Sequence, residues 1–179
     1  MTIAEAQHDM RQAYFGGSPG VLASGLVWLA SGVVALLVSP TSAVLTLFIG
    51  GMFIFPLSVL LCKAVGCSGK HSRKNPLGSL AVEGTFWMLL CFPVAFAAFL
   101  YEAAWFFPVM LLIIAGRYLT FQTLYGTRLY WLFGVVLGFS PVVLVALRAG
   151  PSAGAFLGGS IEVTFAAILF FMHRRTNAT

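Results

Sequence analysis

The sequence predicts an all-α integral membrane protein, a bundle of six transmembrane helices preceded by a short amphipathic helix. Three observations point there. Of 179 residues, 60% are apolar and only 8% are charged, whereas a soluble domain carries roughly 25% charged residues to coat itself in water. The apolar residues gather into six runs, each near the ~20 residues that cross ~30 Å of hydrocarbon. Between the runs stand short polar breaks rich in proline, serine and basic residues. The length admits one helical bundle and no sizeable soluble domain.

Residues 1–18 form a polar N-terminal segment. Ile3, Ala6, Met10 and Tyr14 recur at helical spacing with Glu5, Asp9, Arg11 and Gln12 between them. That pattern fits an amphipathic helix at the membrane surface, and it fits a frayed terminus equally well. The mixed charge makes a poor secretory leader, so the next apolar run is kept as a span. Ser18-Pro19 reads as an N-cap followed by a first-turn proline and opens span one, about 20–38. Ser39-Pro40-Thr41-Ser42 is a tight polar turn. Span two follows at about 43–62, with Gly50-Gly51 and Pro56 expected to bend it. Lys63 to Asn75 is the longest internal polar break, and Asn75-Pro76 repeats the cap-plus-proline signal before span three, about 77–99, which contains Pro93. Tyr101, Glu102 and Trp105 mark an interface. Spans four, five and six run at about 106–124, 129–147 (with Pro141) and 153–172. The transmembrane domain is thus 19–173, and 174–179 form a tail.

Basic residues set the orientation. With the N-terminus inside, Arg11, Lys63, Lys70, Arg73, Lys74, Arg128, Arg174 and Arg175 all fall on the inner side, eight of the ten in the chain. Arg148 alone is outside, and Arg117 lies within a span. This bias predicts that both termini are cytoplasmic. It also explains the net charge of +5 without nucleic acid, because the basic residues sit in short loops and do not form a stripe. Three cysteines, Cys62, Cys67 and Cys91, are an odd number and are expected as free thiols in a reducing compartment.

Three ionisable residues inside spans are the candidates for chemistry: Glu83 in span three, Arg117 in span four and Glu162 in span six. A charge at the bilayer centre costs at least ~2.5–3.5 kcal/mol and marks a functional site by default. At 1.5 Å per residue they lie ~10, ~12 and ~16 Å from the inner face, so one guanidinium between two carboxylates is expected, with a residual negative charge for a proton or cation. The plainer reading is a clasp in which Arg117 pairs with one glutamate. Tyr118 and Gln122, with Tyr125, follow one face of span four and suit a wet cavity or interhelical hydrogen bonding. Gly150, Gly154, Gly158, Glu162 and Ala166 lie four apart, as do Gly134 and Gly138, and small residues at that spacing let helices approach closely. Glu162 continues the stripe and is expected to face protein. Glu83-Gly-Thr-Phe and Glu162-Val-Thr-Phe, three spans apart, hint at an inverted repeat of the kind secondary transporters carry.

Other motifs fail. Cys67 and His71, with Cys62 near, lack a fourth metal ligand and sit among Lys63, Lys70, Arg73 and Lys74, so neither a metal nor any other cofactor is expected. No metalloprotease helix, phosphate loop or nucleophile elbow occurs.

Tyr14-Phe-Gly-Gly-Ser-Pro-Gly-Val-Leu, Gly69-Lys-His-Ser, Asn75-Pro-Leu-Gly-Ser-Leu and Gly116-Arg-Tyr-Leu-Thr-Phe-Gln-Thr-Leu-Tyr-Gly together resemble a family of small uncharacterised bacterial polytopic membrane proteins over most of the chain. That resemblance implies a bacterial inner membrane and no activity. Size and helix count are also similar to the substrate-binding subunits of energy-coupling-factor vitamin transporters, by architecture alone. The expectation is a carrier or binding subunit for a small solute or ion, not an enzyme, with Glu83, Arg117, Glu162, Tyr118 and Gln122 at its polar site. A structural or assembly protein is the alternative, and a lipid-active intramembrane enzyme a weaker one. Expected partners are the bilayer, a small solute or proton, and a second copy or a partner membrane subunit.

Overall fold

The computed structural model describes residues 1–176, so residues 177–179 of the expected tail lie outside the described residues. Every regular element described is helical: α1 (Ile3–Tyr14), α2 (Ser18–Leu37), α3 (Pro40–Ala64), α4 (Leu77–Tyr101), α5 (Phe106–Tyr125), α6 (Leu129–Ala146) and α7 (Pro151–Thr176). Short 3-10 turns at Phe15–Gly17 and Ala103–Trp105 join α1 to α2 and α4 to α5. Six helices are long and apolar enough to cross a membrane, and the chain is a multi-pass membrane protein.

Local chemistry explains where the helices begin. Thr2 and Glu5 form a reciprocal capping box on α1, which fixes it as a helix where a frayed end was the other expectation. Its buried face is Ala6, Met10 and Ala13; Ile3, expected on that face, is exposed. Ser18 was expected to cap α2, but the cap is Gly17 and Ser18 is already helical. The reason is the connection: Phe15, Gly16 and Gly17 are all left-handed (φ 51, 65 and 88), which turns the chain so tightly that α2 starts one residue early. Ser39 belongs to a cap as well as a turn, its Oγ accepting from the Ser42 amide at 3.1 Å. At α4 the residue before the helix is Pro76, one later than the expected Asn75, and Asn75 serves the first turn from behind it, its Oδ1 accepting from the Leu77 amide at 2.9 Å. Pro56, Pro93 and Pro141 all lie inside unbroken helices.

Packing divides the bundle into two triplets. α2 lies between α3 and α7, and α5 lies between α4 and α6. The triplets join where α7 meets α5 and α6. Exchanging the halves maps one triplet onto the other, as an inverted repeat would. The four-residue likeness does not share in it, because Glu83 and Phe86 are exposed while Glu162 and Phe165 are buried. The core is Trp28, Phe107, Leu111, Tyr130, Phe133 and Leu137.

Small residues bring α2 and α7 together. A Cβ on Gly25 would lie 3.0 Å from the Val163 backbone nitrogen, and one on Gly158 would lie 2.7 Å from Trp28 Cε3. Between helices in lipid, such close backbone approach replaces the hydrophobic driving force available in water. The expected stripe holds at Gly154 and Gly158, whereas Gly150 faces open space. α3 and α4 bury little, with 11% and 6% of their apolar windows inside the protein. Their remaining surface, including Phe53, Phe55, Leu90 and Leu100, suits hydrocarbon.

Candidate functional site

The close approach of α2 and α7 creates the site. Because Gly25 admits the α7 backbone, the neighbouring Ser24 on α2 needs only its short side chain to reach Glu162. Ser24 Oγ donates to Glu162 Oε1 at 3.0 Å. From α5, the Tyr118 hydroxyl donates to the same oxygen at 2.6 Å. Glu162 is completely buried, and its other oxygen, Oε2, has no partner. Aromatic rings hold Tyr118 in place: its ring lies 4.1 Å from that of Phe133, which stacks on Phe165 at 4.4 Å. Ser24 and Tyr118 are six and seven residues from the helix ends nearer the termini, a depth of ~9–10 Å.

Arg117 immediately precedes Tyr118 on α5 and, as the next residue round the helix, turns to another neighbour. Its guanidinium donates to Thr85 Oγ1 at 3.2 Å and to Met88 Sδ at 3.4 Å, both on α4. It also lies 5.6 Å from the centre of the Phe121 ring, within cation–π range. Its Nε is buried without a partner. Among the described residues Arg117 makes no ion pair, so a thioether, a hydroxyl and a ring face replace the carboxylate clasp that the sequence led us to expect.

Glu83 does not join the others. It is exposed on α4, where Gly84, Thr85 and Met88 are the residues turned to α5. It lines an open groove of about 590 Å³ with His71, Arg73 and Asn75. The expected convergence of three charges is therefore replaced by a buried carboxylate and a half-buried guanidinium on adjacent faces of α5. Helical register is the reason, since depth along a span says nothing of the direction a residue faces. Gln122 is half-buried with no side-chain hydrogen bond, and Tyr125 is buried. Three partners of the charges are not singled out by the sequence: Thr85 and Met88 for Arg117, and Ser24 for Glu162. No local spacing marks them, since Thr85 lies 32 residues from Arg117 and Ser24 lies 138 from Glu162.

The end of the bundle nearer the termini is closed over this site by α1. Arg11 donates to the Tyr125 carbonyl and Gln7 to the Thr123 carbonyl, both at the C-terminal end of α5, where a cation is favoured by the helix dipole. Asp9 Oδ2 accepts from Asn75 Nδ2 at 2.7 Å and from the Ser72 amide at 3.0 Å. Tyr130, from α6, donates to the Gly16 carbonyl at 2.8 Å, and its hydroxyl fills the space a Cβ on Gly17 would need. The residues weighed as metal ligands are occupied otherwise. The Cys67 thiol donates to the Cys62 carbonyl, and His71 Nδ1 shares a 2.9 Å hydrogen bond with the Tyr14 hydroxyl. All three cysteines are free thiols.

Comparison with known proteins gives one match, to a family of unknown function, DUF7010, over residues 3–172. No curated protein matches the chain, and no solved structure does.

Proposed function

The chain belongs to the DUF7010 family, for which no function is known, and we propose that it is a carrier or binding subunit for a small solute or ion. Glu162, Ser24, Tyr118 and Arg117 form its polar intramembrane site. The supporting observation is a pair of orphans: Glu162 Oε2 and Arg117 Nε are both buried and both unpartnered. Buried polar atoms are normally satisfied, and a clasp evolved only for packing would have paired these two charges with each other. A transient ligand offering both a donor and an acceptor satisfies both. The proposal assigns no catalytic step. It has the termini in the cytoplasm, on the eight-to-one distribution of basic residues, and the chain in a bacterial inner membrane, on the family resemblance, alone or with a second copy or partner subunit.

A structural role is the second reading, favoured by one fact: Glu162 Oε1 ties three helices, α2, α5 and α7, through two hydrogen bonds. Flux of protons and of a solute panel into liposomes, beside melting curves, separates the two. A carrier gives flux above empty liposomes that Glu162→Gln abolishes while the melting temperature is kept. Flux equal to empty liposomes, with a lowered melting temperature in Glu162→Gln, refutes the carrier.

A further inference from the structure

The face of the bundle away from the termini has three connections: 38–39, 102–105 and 147–150. They contain one carboxylate, Glu102, and one guanidinium, Arg148, and no other charged residue. Both line a single cleft of about 330 Å³, with Trp105, Pro108, Leu144 and Ala149. Each is exposed, and as opposite charges on the rim of one cleft the two could pair. They do not, and neither side chain has any partner among the described residues.

The backbone adds a second observation. Arg148 is left-handed, φ 49, one of only two such non-glycine residues described. It closes α6 with two hydrogen bonds, from its own amide to the Val145 carbonyl at 3.0 Å and from the Ala149 amide to the Leu144 carbonyl at 2.9 Å. Glycine is the usual residue at this position of such a helix end, because it adopts the conformation without steric cost. An arginine held there is strained, and strain of this kind gathers at ligand-binding positions.

We infer that this cleft binds a small zwitterion, its ammonium at Glu102 and its carboxylate or phosphate at Arg148. A planar guanidinium fork matches either anion, and the Trp105 ring offers apolar cover and a face for the ammonium. A free amino acid and a phosphatidylethanolamine headgroup both carry this chemistry. The site is separate from Glu162 and stands whether or not that residue serves a carrier.

The test uses the full chain in nanodiscs of phosphatidylglycerol. Calorimetry compares glycine, L-leucine and L-phenylalanine with the singly charged ethylamine and propionate. At least one zwitterion binds ten-fold or more tightly than either control, and Glu102→Gln and Arg148→Gln each weaken it by roughly ten- to a hundred-fold, the usual effect of losing a hydrogen bond to a charged group. Arg148→Gly weakens it equally but keeps or raises the melting temperature, because it relieves the left-handed backbone. In nanodiscs containing phosphatidylethanolamine, native mass spectrometry distinguishes the lipid source: that lipid stays on the wild type and is lost from the same variants. If neither zwitterion nor lipid binds above the controls, or if binding survives both Glu102→Gln and Arg148→Gly, the inference is wrong.

Discussion

Tyr118→Phe removes one oxygen and leaves the ring on Phe133, so its cost measures the hydrogen bond to Glu162 with little contribution from packing. Two magnitudes compete. Hydrogen bonds to charged groups are worth ~1.5–3 kcal/mol in soluble proteins, while cycles within a bilayer average ~0.6 and reach ~1.7 kcal/mol. Here the bond is 2.6 Å long, both residues are buried, and the carboxylate has only Ser24 to fall back on. Those features put the coupling at the upper membrane value, ~1.5 kcal/mol, or about ten-fold in the unfolding constant. The longer Ser24 bond, 3.0 Å, is expected nearer the average, ~0.6 kcal/mol. The assay is reversible unfolding in mixed micelles of the wild type, Tyr118→Phe, Glu162→Leu and the double variant, since leucine removes the acceptor without supplying another. If Tyr118→Phe costs the same in the Glu162→Leu background as in the wild type, no hydrogen bond of consequence joins them.

Gly158→Ala is expected to cost at least the ~1–3 kcal/mol of an overpacked core, because its Cβ meets Trp28 and Leu111 at 2.7–2.9 Å. Gly138→Ala, whose nearest neighbour is 3.7 Å away, is tolerated, and equal melting temperatures would refute the packing account. Arg11→Ala loosens α1 by ~1.5–3 kcal/mol, read as faster hydrogen exchange of residues 3–14 with the exchange of α5 unchanged. Cysteines placed at Glu102 or Ser152, in a background without Cys62, Cys67 and Cys91, are labelled from outside intact cells and one at Ser72 is not. Labelling at Ser72 reverses the orientation.

The spans were legible in the sequence because sustained apolar length is a one-dimensional signal, and the six runs need only be counted. Caps were legible to within a residue, since Asn75 and Ser39 do their work through local hydrogen bonds. Glu162 was legible as inward-facing because it extends a glycine stripe that has to touch a neighbouring helix. Glu83 was not, and the reason is physical. An apolar helix in lipid carries no moment that separates inside from outside, so α4 gives no sign that Glu83 looks away from α5 while Thr85 looks toward it. The docking of α1 was equally hidden. Its partners at Thr123, Tyr125 and Asn75 are carbonyls and an amide far along the chain, invisible to periodicity.

The order of the residues in Glu162's hydrogen bonds bears on how the chain is made. Ser24 precedes Glu162 by 138 residues and Tyr118 precedes it by 44. At ~5–20 residues per second, the serine waits roughly 7–28 s and the tyrosine roughly 2–9 s before the carboxylate is synthesised. A hydroxyl waits cheaply, because it can satisfy itself on its own helix carbonyl one turn back, as Ser140 does on Val136. A carboxylate has no such recourse in hydrocarbon. Placed on α7, Glu162 is synthesised after both of its donors, so the group least able to wait in hydrocarbon finds its partners already made.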